Sequence, residues 1–257
     1  MKKALKQTYI LFARSMRHIL RSPDTIMTVA VMPILYMLLF VYVFGGAIKG
    51  SLPPSTNYVS YQLPGILIMT IASGITYSAL RLFLDKQSGM LSRINSMPVS
   101  RSAFLWGHIL TSLVSNVISL GLVIVMALIM GFRSSAGFFE WLGVIGLLTL
   151  LTLALTWVAI IPGLTAKTAE GSAALAYPVM FLPFISSSFV PVETMPKALG
   201  TFAKHQPFTP MVEVLRSLLN GTPVENSGWI ALAWCAGILI AAWFLAMRVY
   251  KRQVLGH

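Results

Sequence analysis

The stretch WLGVIGLLTLLTLALTWVAIIPGLTA, Trp141 to Ala166, contains no Asp, Glu, Lys or Arg. About 20 consecutive apolar residues suffice to carry a helix across the hydrocarbon core of a bilayer. This one segment therefore argues for an integral membrane protein. Five further stretches read the same way: 25–48, 59–80, 102–132, 171–192 and 226–247. The expected fold is all-α, with six transmembrane helices in a domain covering 25–250 and an amphipathic connecting helix at 1–24.

Composition fits. The chain is 56% hydrophobic and 10% charged, with mean hydropathy +0.79, where a soluble domain carries about 25% charged residues. The net charge of +12 raises nucleic-acid binding as a reading. It is disfavoured because the charges sit in the gaps between apolar runs, not along a soluble face. With both termini placed in the cytoplasm, fourteen of the 19 Lys and Arg residues fall inside and five outside. That asymmetry is what the positive-inside rule requires of six spans. The first apolar run starts after a long charged stretch and exceeds a cleavable leader's core, so no signal peptide is expected. The single cysteine, Cys235, lies inside an apolar run and reads as a small packed residue.

Between the spans, three segments carry shape. In Lys2 to Arg21, the residues Leu5, Tyr9, Phe12, Met16 and Ile19 recur at helical steps, with Arg14, Arg17 and Arg21 off that stripe. A basic amphipathic helix of this kind lies flat at the lipid interface, and Ser22-Pro23-Asp24 ends it. The linker 81–101 is too long for a turn. Met90, Leu91, Ile94 and Met97 share a helical face there, an apolar face that a partner protein can bury. The outer segment 193–225 reads as a helical loop. Thr209-Pro210 gives a helix start with Thr as N-cap, Leu215, Leu218 and Leu219 give an apolar side, and Asn220-Gly221 gives the stop.

Missing chemistry narrows the function. There is no G-x-x-x-x-G-K-[ST] phosphate loop, so the chain is not expected to hydrolyse ATP itself. The four histidines are scattered, and no metal site or catalytic residue set is expected. All seven acidic residues fall near span ends or in loops, which weakens ion-coupled transport. His108 reads as a polar residue close to the interface. Ser73, Gly74 and Ser78, with Ser112, Ser115, Asn116 and Ser119, read chiefly as close packing between spans, with a pathway lining or subunit contact as the other reading.

The order of helix, six spans, long second cytoplasmic linker and long last outer loop resembles the ABC-2 type permeases, the membrane subunits of daunorubicin-resistance-like ABC exporters. Asp85-Lys86-Gln87-Ser88-Gly89-Met90-Leu91-Ser92-Arg93, followed by Met97-Pro98-Val99-Ser100-Arg101, is similar to that family's linker signature. Phe189-Val190-Pro191 with Met195-Pro196 resembles the end of its fifth span. Gln206-Pro207-Phe208-Thr209-Pro210, with Leu215-Arg216 and Gly221, is similar to its outer segment. Ser92 and Gln206 depart from the Glu and Asn common at those places.

The resemblance implies a mechanism. Two permeases, identical or related, pair in the cell membrane, each served by a cytoplasmic ABC ATPase subunit that carries the Mg-ATP; this chain binds no cofactor. A coupling helix at 85–98 seats in the ATPase, using Lys86, Gln87, Gly89, Met90, Leu91, Arg93 and Ile94. Gly89 supplies the turn, and Met90, Leu91 and Ile94 the apolar knob. The connecting helix, with Phe12, Arg14, Met16 and Arg17, touches the same partner. Cargo passes Met69, Ser73, Tyr77, Met180 and Phe184 on the second and fifth spans, under an outer cap at Pro207, Thr209 and Pro210. The expected function is outward movement of small amphipathic, drug-like compounds. Lipid or glycan export, a non-transporting sensor or assembly protein, and an intramembrane enzyme are the alternatives.

Overall fold

A helix satisfies its backbone N–H and C=O groups within its own segment, which lipid demands. The computed structural model describes residues 2–21, 27, 31–45, 58–90, 101–174, 176–224 and 226–255, and they contain helices and turns but no strand.

Helix α1 (Lys2–Arg21) is followed by α2 (Met32–Leu38), which continues as a π-helical turn through Leu39–Phe44. The long helices are α3 (Tyr58–Gln87), α4 (Arg101–Ile129) and α5 (Phe138–Thr165). Short pieces come next: α6 (Ala169–Ala174), α7 (Tyr177–Phe181) and 3₁₀ turns at Leu182–Ile185 and Val192–Thr194. Then come α8 (Lys197–His205), α9 (Phe208–Leu219) and a last long helix, α10 (Ser227–Leu255).

Four helices, α3, α4, α5 and α10, are long and apolar enough to cross a membrane. They coincide with the second, third, fourth and sixth apolar stretches of the sequence. The first stretch holds the shorter apolar helix Met32–Val43. The fifth is not one continuous helix. Pro178 and Pro183 each stand in the first turn of a new short segment, because proline has no N–H to continue the preceding ladder. The 30 residues of α3 extend about 45 Å, beyond a hydrocarbon core of about 30 Å. Its last turns carry Arg81, Asp85 and Lys86.

Helix α5 is the hub, packing on α3, α4, α9 and α10. One apolar core joins Leu63, Leu67 and Ile71 of α3 to Leu151 and Leu155 of α5 and to Phe208 and Leu215 of α9. A second joins Leu82, Phe104, Ile109, Trp157, Ile160 and Ala246. Gly163 brings α3 and α5 together there: a Cβ on it would meet the Ala79 carbonyl oxygen and the Leu82 Cβ, both at 2.9 Å. Small residues permit such backbone approach where lipid supplies no hydrophobic drive between helices. Helix α10 leaves Trp229, Ile230, Leu232, Trp243 and Phe244 exposed, an apolar face that suits lipid.

Candidate functional site

The ends of α3 and α5, the start of α4 and the whole of α1 meet at one basic end of the bundle. Helix α1 lies along α4. Its packing stripe differs from the one expected. Leu11, off the expected stripe, joins the second core, and Tyr9, on it, is 67% exposed, while Ile19 is buried as expected. The reason is on α4, where Gly107 leaves room for the Leu11 Cβ, 3.1 Å from where its own Cβ would stand. Phe12 and Met16 are half-buried, and Arg14 and Arg17 are exposed.

The linker also differs. Asp85, Lys86 and Gln87 are the last turn of α3, not the start of a separate helix. The apolar packing of α3 through Leu82 and Phe83 carries the helix past the charged residues where the sequence suggested a break. The chain then turns at Ser88 and Gly89, with the Ser88 N–H on the Leu84 carbonyl at 2.9 Å. Gly89 has φ +71°, a left-handed value open to glycine at little cost. Met90 packs against the second core and meets the Arg14 guanidinium, so α1 and the linker touch. Lys86 donates to the Leu164 carbonyl at 2.5 Å, neutralising the C-terminal end of α5. Leu91, Arg93 and Ile94, with the rest of 91–98, lie outside the described residues.

Between α3 and α4 runs a polar seam. The Ser78 hydroxyl lies 2.9 Å from His108 Nε2 and 2.8 Å from the Ser112 hydroxyl. Arg81 Nη2 donates to the His108 carbonyl at 3.0 Å and to Ser112 Oγ at 2.9 Å, and lies 3.2 Å from His108 Nδ1. His108 is buried at 4% exposure inside this cluster. The sequence signal was present but needs two helices aligned: Ser78 and Arg81 three apart, His108 and Ser112 four apart. Other hydroxyls are satisfied locally, Thr111, Ser115 and Ser119 each bonding the carbonyl four residues back. Beside Asn116 the seam leaves a groove of only about 20 Å³, room for a water and no larger ligand.

The residues implied for a translocation path fall in three places. Met69 is sealed in the main core at 1% exposure. Ser73 and Tyr77 line the polar groove. Met180 and Phe184 pack on the main core from its other side, with the Phe184 ring 5.4 Å from that of Phe189.

At the opposite end, α9 begins at Phe208, not at Pro210, and its N-cap is Pro207 without a side-chain cap bond. The Thr209 hydroxyl is no cap: it donates to the Ala203 carbonyl at 2.6 Å, tying α9 to α8. Thr209 and Pro210 are buried. The expected stop holds, with Asn220 at the C-cap and Gly221 at φ +64°. The Gly221 and Thr222 N–H groups bond the carbonyls of Leu218 and Ser217, a Schellman closure. Arg216 reaches from α9 to α3 and to Ser187, a link with no local sequence signature.

Against known families, residues 6–220 match the ABC-2 type transporter family. The chain belongs to that family and is a multi-pass membrane protein, a permease subunit of an ABC transporter. The family lacks an ATPase domain, so a permease of this kind implies a separate ATPase subunit. The chain is 26% identical over 241 residues to the daunorubicin resistance ABC transporter permease protein DrrB1 of Streptomyces coeruleorubidus, covering 93% of this chain and 84% of the other. It is 25% identical over 235 residues to a probable doxorubicin resistance ABC transporter permease protein, DrrC, of Mycobacterium tuberculosis, covering 91% and 84%.

Proposed function

We propose that this permease crosses the membrane six times with both termini in the cytoplasm, and that it moves small amphipathic compounds outward with energy from a separate ABC ATPase subunit. The first and fifth apolar stretches complete the six, the fifth as a proline-broken span. The basic end then faces the cytoplasm. A second permease, identical or related, pairs with this one, and cargo passes between them along the faces that hold Ser73, Tyr77, Met180 and Phe184.

The observation that carries the reading is the contact between Arg14 of α1 and Met90 after α3. It joins the two elements assigned to the ATPase into one surface, braced to α5 through Lys86. Motion of a partner held at Gln87, Gly89, Met90, Leu91, Arg93 and Ile94 then moves α3 and α5 together. Pro207, Thr209 and Pro210 hold the outer helices over the exit. The names of the drug-resistance relatives favour drug-like cargo.

The test is co-purification of the tagged chain from its own cells with an assay of Mg-ATP hydrolysis. A stoichiometric ATP-binding subunit, lost in Met90→Asp or Leu91→Asp while the spans stay folded, supports the reading. A chain that emerges alone even after crosslinking overturns it.

A further inference from the structure

Arg14 of α1 and Arg81 of α3 line one cavity of about 390 Å³. Ser15, Leu80, Leu84 and Asp85 share its wall, so among the described residues two guanidiniums stand with one carboxylate and a net positive charge remains. Arg81 is held in place. Its bonds to His108 and Ser112 all leave from Nη2, and a guanidinium carries five N–H donors in a fork that matches phosphate. The α1 wall is equally fixed, through Leu11 against Gly107.

The wall is also amphipathic. Leu80 and Leu84 lie one helical turn apart and face the same way. A small, fully hydrated anion would leave both leucines against water, whereas an amphiphile covers them with its first methylene groups. The adjoining polar groove, at about 20 Å³, is too narrow to take a ligand further, so the site ends at Arg81. With the basic end in the cytoplasm, the cavity opens at the inner leaflet, where anionic lipids concentrate.

We propose that this cavity holds the phosphate head of an anionic amphiphile from the inner leaflet, with Arg14 and Arg81 as its cationic contacts. The site rests on the orientation given under Proposed function and not on the identity of the cargo.

The experiment uses the full chain, with any ATPase subunit that accompanies it, in bilayer discs of phosphatidylcholine containing a minor fraction of phosphatidylglycerol. After detergent extraction, the ratio of the two lipids retained is measured by mass spectrometry. The wild-type chain is expected to enrich phosphatidylglycerol. Arg14→Gln, an exposed position, is expected to lower that enrichment about fivefold, the worth of one basic residue near an anionic surface. Asp85→Asn is expected to raise it. Arg17→Gln, on the same helix but outside the cavity wall, is expected to leave it unchanged. Absence of enrichment in the wild type, or equal losses in Arg14→Gln and Arg17→Gln, overturns the site. Displacement of the lipid by inorganic phosphate also overturns it, in favour of a free-anion site. In the wild type, no lipid preference with the ATPase subunit bound overturns this site alone; a missing ATPase subunit with the preference intact overturns the transport reading and leaves the site standing.

Discussion

The Arg216 guanidinium lies 4.0 Å from the centroid of the Tyr61 ring and donates to the carbonyls of Tyr61, at 3.2 Å, and Ser187, at 2.8 Å. One side chain of α9 thus joins the far end of α3 to the last part of the broken fifth stretch, just after its 3₁₀ turn. The charge is compensated by a ring face and two carbonyl oxygens.

Arg216→Ala removes a cation–π contact and two charged hydrogen bonds, a loss of about 2–4 kcal/mol. The purified protein is expected to melt at a lower temperature. Arg216→Lys keeps the charge without the planar fork and is expected to fall between the two. An unchanged melting temperature in Arg216→Ala would mean that the buried apolar face of α9 holds it alone.

His108→Ala strips the Nε2 partner from Ser78 and the Nδ1 partner from Arg81 in the buried seam. The Arg81 bond to the residue 108 carbonyl survives, so the expected cost is about 1–3 kcal/mol, that of a buried polar group left short of partners. Ser78→Ala combined with His108→Ala should cost less than the sum of the two. Strict additivity in thermal melts would sever the coupling claimed here.

Gly163→Ala places a methyl group 2.9 Å from the Ala79 carbonyl oxygen and the Leu82 Cβ. Forcing α3 from α5 is expected to cost about 1–3 kcal/mol. Gly237→Ala, with nothing within 4 Å, is the control and is expected to be neutral or slightly stabilising. Equal melting temperatures for the two variants would remove the close approach at Gly163.

Gly89 has open space around it and φ +71°, so its constraint is conformational. Gly89→Asn is expected to keep transport coupled to ATP hydrolysis, because Asn tolerates this region. Gly89→Val is expected to lower coupled transport without changing the melting temperature. Full transport in Gly89→Val would show that the turn is not needed for coupling.

Orientation is read by labelling intact cells with a membrane-impermeant maleimide. The background is Cys235→Ala, which removes the buried free thiol. Thr201→Cys is expected to label and Ser88→Cys is not; both positions are exposed in the fold. The reverse pattern would invert the proposed topology.

The long helices could be read from sequence because an uncharged apolar run of sufficient length has one physical solution in a bilayer. The fifth stretch was read as an apolar run; its break falls at Pro178 and Pro183, where a missing N–H starts new short segments. The stop after α9 was legible at Asn220-Gly221, since a helix stop at glycine is a local property. Thr209 was misread as a cap because the rule for helix starts is local, while the hydroxyl found a nearer use on the Ala203 carbonyl.

The sequence by itself determined a basic, multi-pass helical membrane protein, its apolar segments and the turns at glycine and proline, all of them consequences of composition and near-neighbour chemistry. Tertiary structure decided what depends on helix rotation and depth. The stripe of α1 that packs follows from the gap at Gly107 on α4. The continuation of α3 through Lys86 follows from its contact with α5. The Ser78–His108–Arg81 cluster and the reach of Arg216 to Tyr61 exist only once separate helices are set in register. No local pattern encodes that register, because the same side chains rotated by a fraction of a turn would face lipid instead.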